Sequence, residues 1–372
     1  MKNWLATVPV IELFSDRAHY RRESRGQLAE ILRPFWKEAT FSELERQAMY
    51  GLSANDIQVV DDLTHADLAV LPMTWNHYLA GRKLDRVRQF IEAARHTRVP
   101  VLSYVSGDEG VAVPDGFDDV YIVRASGLRT RRRARQIAQP VFFEDPWKRY
   151  PELKTHDRFA NSDMRPFVGF CGQASLNGIK FGWDVVRGCW RKGLYHSQLS
   201  RQEPQPLLPP SWLRAKAMRQ LANSPQVRTC FVVRERYRGG ATDVAARERT
   251  TREFYQNMAV TDYTLCVRGG GNFSKRFYET LALGRIPVLV DTDCLLPFES
   301  VLNWDRYSVR VSQSELASLP DIVVRHFATH GPGGLAEIKQ RCRKLWEEWL
   351  SFAGFHRQLA QLILNPARTR CP

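Results

Sequence analysis

Along the first half of the chain, short apolar runs alternate with segments of helical period. VPVIELF in the 8–14 region, DIQVV (56–60) and DLAVLPM (67–73) read as strands. KLDRVRQFIEAARHT (83–97) places its apolar residues on one helix face, and VPVLSYV (99–105) is a buried strand again. DDVYIVRAS (118–126) and PVFFED (140–145) continue the series. Strands alternating with helices at this spacing predict a parallel sheet covered on both faces. The polar stretch from Asp145 to Pro166 reads as a linker. RPFVGFCG then opens a second series, with a helix around Lys180–Gly193 and a loop over Arg201–Pro210 that holds four prolines. Strands follow at VRTCFVV (227–233), Tyr263–Val267 and Ile286–Val290. Leu335–Asn365 reads as a long helical region able to cross back onto the first unit. The pattern divides the chain into Rossmann-like domains over 1–155 and 165–334 and a helical segment over 335–372.

A length of 372 residues suits two domains, each with its own core, and 44% apolar with 25% charged residues is ordinary for a globular chain. No run approaches the roughly 20 apolar residues of a membrane helix. MKNWLATVPVIELFSD lacks a signal-peptide layout because Glu12 and Asp16 interrupt its apolar stretch. Seven cysteines without a C-x-x-C pair argue for reduced thiols and a cytoplasmic location. The formal net charge of +14 favours acidic partners. Its densest cluster is LRTRRRAR, with Arg129, Arg131, Arg132, Arg133 and Arg135; it is either a solvated face or a contact for an anionic membrane or other polyanion. Nucleic acid is not an expected partner, since no zinc-finger or RNP-like pattern accompanies the cluster.

The most chemically specific stretch is Tyr263–Trp304. A strand, the glycine turn Gly269–Gly271 and a helix opening near Ser274 create an anion site, because free backbone N–H groups and the helix dipole converge there. Arg276 and Glu279 stand three residues apart and share a helix face. The cation suits a diphosphate, and the carboxylate can accept hydrogen bonds from a ribose diol. Ser274 is a helix cap, a ligand contact, or both.

This stretch resembles the C-terminal half of exostosin-type glycosyltransferases. The resemblance rests on Cys266, Arg268-Gly269, Ser274, Arg276, Glu279, Leu281, Gly284, Ile286-Pro287-Val288, Leu296-Pro297-Phe298 and Asn303-Trp304, in order and at similar spacing. Weaker likeness extends to Ala66–Pro72 and Arg165–Gly172. The resemblance implies a GT-B fold, two Rossmann-like domains facing a cleft. It further implies an inverting transferase that moves a sugar from a nucleoside diphosphate, UDP above others, to a glycan or lipid-linked acceptor. Arg276 and Glu279 would contact the donor's diphosphate and ribose, with Arg234, Arg268, Gly270, Ser274 and Lys275 around them. Lys275 departs from the apolar residue or proline common at its position. Arg268 is either a diphosphate contact or part of a structural salt bridge.

The family often places a carboxylate at the end of the strand VLSYV, which makes Asp108 the candidate general base. Glu109, Asp16, His19 and His77 are the lesser candidates. No metal or other cofactor is expected, because such enzymes stabilise the departing diphosphate with side chains and a helix dipole. Two alternatives compete. Asp291 and Asp293 form a D-x-D pair that could chelate a divalent ion, and the arginine surface could serve a non-catalytic polyanion-binding protein.

Overall fold

The computed structural model describes residues 10–36, 41–158, 164–235, 240 and 243–365. The first domain opens with β1 (Ile11–Phe14), α1 (Arg33–Trp36), α2 (Glu43–Tyr50), β2 (Ile57–Val60), β3 (Leu68–Val70) and α3 (Trp75–Ala80). It continues through α4 (Leu84–His96), β4 (Val101–Val105), β5 (Tyr121–Arg124) and β6 (Gln136–Ala138). α4 buries Val87, Phe90, Ile91 and Ala94, a 3.6-period stripe that covers the sheet. The strands form a six-stranded parallel sheet ordered β2-β1-β3-β4-β5-β6.

The last strand lies earlier than the sequence pattern predicts. β6 falls in RQIA, at the end of the arginine cluster, and PVFFED is not a strand. Pro140 has no N–H to give a ladder, and Asp145 already caps the next helix.

α5 (Pro146–Arg149) and a 3-10 segment over Pro151–Arg158 follow. Far from a bare linker, this stretch buries Tyr150 and Leu153 against Tyr255, Met258 and Leu283 of the second domain. That domain comprises β7 (Phe167–Gln173), α6 (Gly178–His196), α7 (Pro210–Asn223), β8 (Arg228–Arg234), α8 (Val244–Ala259), β9 (Tyr263–Cys266), α9 (Lys275–Ala282), β10 (Ile286–Asp291) and β11 (Val309–Ser312). Its parallel sheet is ordered β11-β10-β9-β7-β8, and β11 is a strand the hydrophobic pattern did not disclose.

The C-terminal helical region is longer and more broken than a single helix. α10 (Leu319–Leu345) bends at left-handed Gly331 and Pro332, passes into a π-helical turn over Trp346–Leu350, and stops at Ser351. Ser351 caps α11 (Phe352–Leu364) by accepting from the Gly354 N–H. α11 lies on the first domain: Phe352 meets Tyr50 at 4.9 Å and Arg357 grips Asp56 at 2.6 Å. No helix among the described residues is long and apolar enough to cross a membrane.

This junction is pH-sensitive. His356 is fully buried among Phe142, Phe352 and Phe355, its Nδ1 donates to the Phe352 carbonyl at 2.8 Å, and Nε2 has no partner. Burial pushes its pKa down from 6.5 to about 4. The fold therefore favours neutral imidazole, and its stabilising share is whole above pH 6.5 and lost as pH falls toward 4. His356→Phe is expected to flatten the acid limb of a Tm-against-pH curve within that window. An unchanged limb would clear His356 of the effect.

Candidate functional site

In the second sheet the chain passes from β7 to β8 on one side and returns to β9 on the other. The carboxyl ends of β7 and β9 are therefore the topological switch point, where open α/β sheets bind ligands. A cleft of about 1270 Å³ opens there. Its second-domain wall includes Arg214, Arg234, Arg268, Gly270, Ser274, Lys275, Arg276 and Glu279. Across from them stand Glu109, Phe143, Glu144 and Arg149.

Three guanidinium groups dominate the wall. Arg276, on the first turn of α9, donates to the Cys171 carbonyl at 2.7 Å and stacks 4.1 Å from Phe170. A Cβ on Gly172 would come within 2.6 Å of Arg276 Nη2, so only glycine lets this side chain cross the end of β7. Arg268 donates to the carbonyls of Pro206 and Leu208 at 2.6 and 2.7 Å. Arg214, from α7, reaches the carbonyls of Gln173 at 3.2 Å and Arg268 at 2.7 Å.

Each of the three has an unpaired buried Nε, and none forms an ion pair with a carboxylate among the described residues. Burial lowers all three pKa values, and that of Arg214 falls to about 10 with help from the charges of Arg276 and Arg268. Backbone carbonyls hold these cations in place without neutralising them. The helix dipole of α9 adds to the same potential.

Glu279 is buried one turn further along α9. Desolvation raises its pKa, opposed by Lys275 at 3.4 Å, by Arg276 and by the Tyr255 hydroxyl, which donates at 3.2 Å. Ser274 occupies the N-cap position but makes no capping bond, so its hydroxyl is left to the cleft. Arg234 lines the cleft with its guanidinium already on Glu253 and the Thr250 carbonyl. Its neighbours Arg236 and Arg238 lie outside the described residues.

Asp108 reaches the glycine turn from the opposing domain without lining the cleft: a Cβ on Gly270 would sit 3.4 Å from its Oδ2. Glu109 does line the cleft, ion-paired with Arg191. Asp16, His19 and His77 are not among the lining residues; His19 meets the Tyr78 hydroxyl at 2.9 Å and His77 faces Lys83 at 3.3 Å.

The glycine turn has a second task. A Cβ on Gly271 would fall 1.9 Å from the Asp108 carbonyl oxygen. Next to it, buried Asn272 receives no cleft ligand but bonds Ser126 Oγ through its backbone N–H and the Gly127, Thr292 and Asp293 carbonyls through its amide. The turn is thus part of the domain seam.

The D-x-D pair belongs to that seam as well. Asp291 accepts from Arg310 at 2.9 Å and pairs with Arg129 at 3.0 Å, while Asp293 accepts from the Thr130 hydroxyl at 2.6 Å. Burial alone would raise Asp291, but Arg310 and Arg129 outweigh it and hold the carboxyl low. These oxygens are engaged by guanidinium and hydroxyl partners of the seam. Within the arginine cluster, Arg129 is spent on this contact, Arg133 on Asp115 and Arg135 on the Asp119 carbonyl.

Arg214 was the residue missed by sequence reasoning. Its one signal is a cation near the N-terminal end of a helix, where the dipole disfavours it.

Two parallel α/β domains with a cationic cleft between them constitute the GT-B arrangement. Residues 209–325 match the Exostosin GT47 domain. Similar proteins include a probable glucuronosyltransferase of Oryza sativa subsp. japonica, 36% identical over 21% of this chain and 18% of that protein. The Exostosin-1 homolog of Caenorhabditis elegans is 24% identical over 26% of this chain and 25% of its own length. The chain thus matches a quarter or less of these relatives. Among solved structures, Anabaena HepE in complex with UDP gives a TM-score of 0.37 at 11% identity, covering 96% of this chain and 99% of that one. A glycosyltransferase from Rickettsia africae gives 0.37 at 11%, with 96% and 100% covered.

Proposed function

We propose that this chain is a glycosyltransferase that uses a nucleoside-diphosphate sugar, UDP-linked as the exostosin resemblance implies, to glycosylate a glycan or lipid-linked acceptor. The observation that carries this is the convergence of buried Arg268 with half-buried Arg214 and Arg276, without carboxylate partners, at the switch point beside the α9 N-terminus. A diphosphate matches three converging guanidinium forks. Glu279 takes the ribose hydroxyls, and the sugar projects toward the Asp108–Glu109 turn.

In the reaction the acceptor oxygen bonds to the anomeric carbon from the face opposite the diphosphate, inverting it. The carbon–oxygen bond to the diphosphate breaks and its electron pair leaves on phosphate. The acceptor proton passes to a carboxylate of the turn, Asp108 in the first instance. The arginines stabilise the charge that gathers on the leaving group, the role a divalent cation has elsewhere.

The test is a panel of UDP, UDP-sugars and other nucleotide sugars, with and without EDTA, read by thermal shift and by donor hydrolysis. UDP species are expected to raise Tm and to be hydrolysed slowly, with no effect of EDTA. Salt-sensitive polyanion binding without donor turnover would favour the non-catalytic alternative. Asp108→Asn and Glu109→Gln are expected to preserve UDP binding. The one that carries the base should lower kcat by about a hundredfold or more. If neither lowers kcat, the base lies elsewhere.

A further inference from the structure

α6 is 19 residues long and buries none of them. Its inner side rests on the second domain through contacts such as Phe181 on Trp212 at 5.1 Å. Its outer side carries Ile179, Trp183, Val186 and Trp190, which are 77%, 72%, 62% and 64% exposed. These positions follow i, i+4, i+7, i+11, so the four side chains fall within about 60° of arc and form one continuous ridge. Scattered exposed apolar residues need no account, but a ridge with two tryptophans does.

Lys180, Arg187 and Arg191 run along one flank of the ridge, all exposed, with Arg187 also paired to Asp184 and Arg191 to Glu109 at the surface. Gly182 and Gly193 lie on the other flank, and a Cβ at either would meet nothing within 4 Å. Glycine inside a helix costs about 1 kcal/mol against alanine, and no contact within the chain explains it here. A smooth flank, an apolar ridge with tryptophan and a basic flank are the composition of a helix that lies in a bilayer interface.

We propose that the outer face of α6 docks on an anionic lipid surface, with Ile179, Trp183, Val186 and Trp190 entering the headgroup boundary and the basic flank facing lipid charge. A second copy of the chain is a poorer occupant. A two-fold contact over this ridge would bring two basic flanks together in a chain of net charge +14. The face differs from the Arg129–Arg135 cluster, where Arg129 is tied into the domain seam and Arg133 and Arg135 bond Asp115 and the Asp119 carbonyl of their own domain. Lys180, Arg187, Trp190 and Arg191 also line the cleft, so docking would hold its mouth against the surface. The proposal does not depend on the chemistry inside the cleft.

The experiment is co-sedimentation of the full chain with vesicles of zwitterionic lipid alone and of zwitterionic mixed with anionic lipid, alongside tryptophan fluorescence. Binding is expected on the anionic vesicles only, weakened by salt, with a blue shift of emission. Trp183→Ser with Val186→Ser, both outside the cleft lining, should weaken vesicle binding by at least about tenfold and leave UDP binding unchanged. Absence of binding to anionic vesicles, or equal binding by the double variant, overturns the proposal. So does a concentration-dependent dimer that the same substitutions abolish.

Discussion

Arg276→Ala is expected to weaken binding of UDP and of inorganic pyrophosphate alike, each by about 10- to 100-fold. A hydrogen bond to a charged group is worth roughly 1.5–3 kcal/mol, and a half-buried guanidinium stacked on Phe170 makes its contact already oriented. The effect on kcat should be larger, about 100- to 1000-fold, since charge on the diphosphate grows as the sugar leaves. Glu279→Ala should behave differently. It removes an acceptor for the ribose, so UDP binding falls while pyrophosphate binding stays. Fluorescence or calorimetric titration of both variants with both ligands separates the roles. Pyrophosphate binding unchanged in Arg276→Ala would sink the diphosphate assignment, and UDP binding unchanged in Glu279→Ala would sink the ribose one.

Apo stability supplies a second readout. Arg276 is a cation that burial disfavours, close to two more of the same kind. Deleting it removes that penalty and costs one bond to the Cys171 carbonyl and the stacking on Phe170. The unliganded variant should therefore melt within a few degrees of the parent. A residue whose loss hurts ligand binding far more than folding is one kept for function.

The strand, glycine turn and helix around Arg276 were legible because they are contiguous and each obeys a local rule: apolar strand, turn glycines, and a serine at the helix N-cap position. The switch point could also be anticipated, since alternating strands and helices leave few topologies. Arg214 could not be found the same way. It stands 62 residues before Arg276, and only the order of strands brings the two together. The partners of the D-x-D pair were hidden for a similar reason. Two aspartates after a strand look like ligands until Arg129 arrives from the other domain. The short β6 escaped because the apolar run that follows it, PVFFED, looks more like a strand than RQIA does. Proline punctuation was the better guide there.

Gly271→Ala is expected to be the most damaging single-methyl change in the cleft region, and the three turn glycines distinguish a phosphate cradle from a domain seam. None of them has a positive φ, so alanine is not excluded by backbone conformation. Space decides instead. A Cβ at Gly269 meets nothing within 4 Å, one at Gly270 meets Asp108 Oδ2 at an ordinary 3.4 Å, and one at Gly271 lies 1.9 Å from the Asp108 carbonyl oxygen. That last obstacle is backbone, which cannot rotate away. Either the β4 loop or the turn must shift by an ångström or more, taking Ser274 and Arg276 with it. Displacement on that scale costs about a hundredfold in rate, and overpacking costs about 1–3 kcal/mol in stability. Gly269→Ala and Gly270→Ala should keep Tm and retain most activity, while Gly271→Ala loses both. If the turn instead needed bare glycines so that phosphate could approach its backbone, Gly270→Ala would abolish UDP binding with Tm intact. Melting curves and UDP titrations of the three variants choose between these outcomes, because a seam couples stability to activity and a cradle does not.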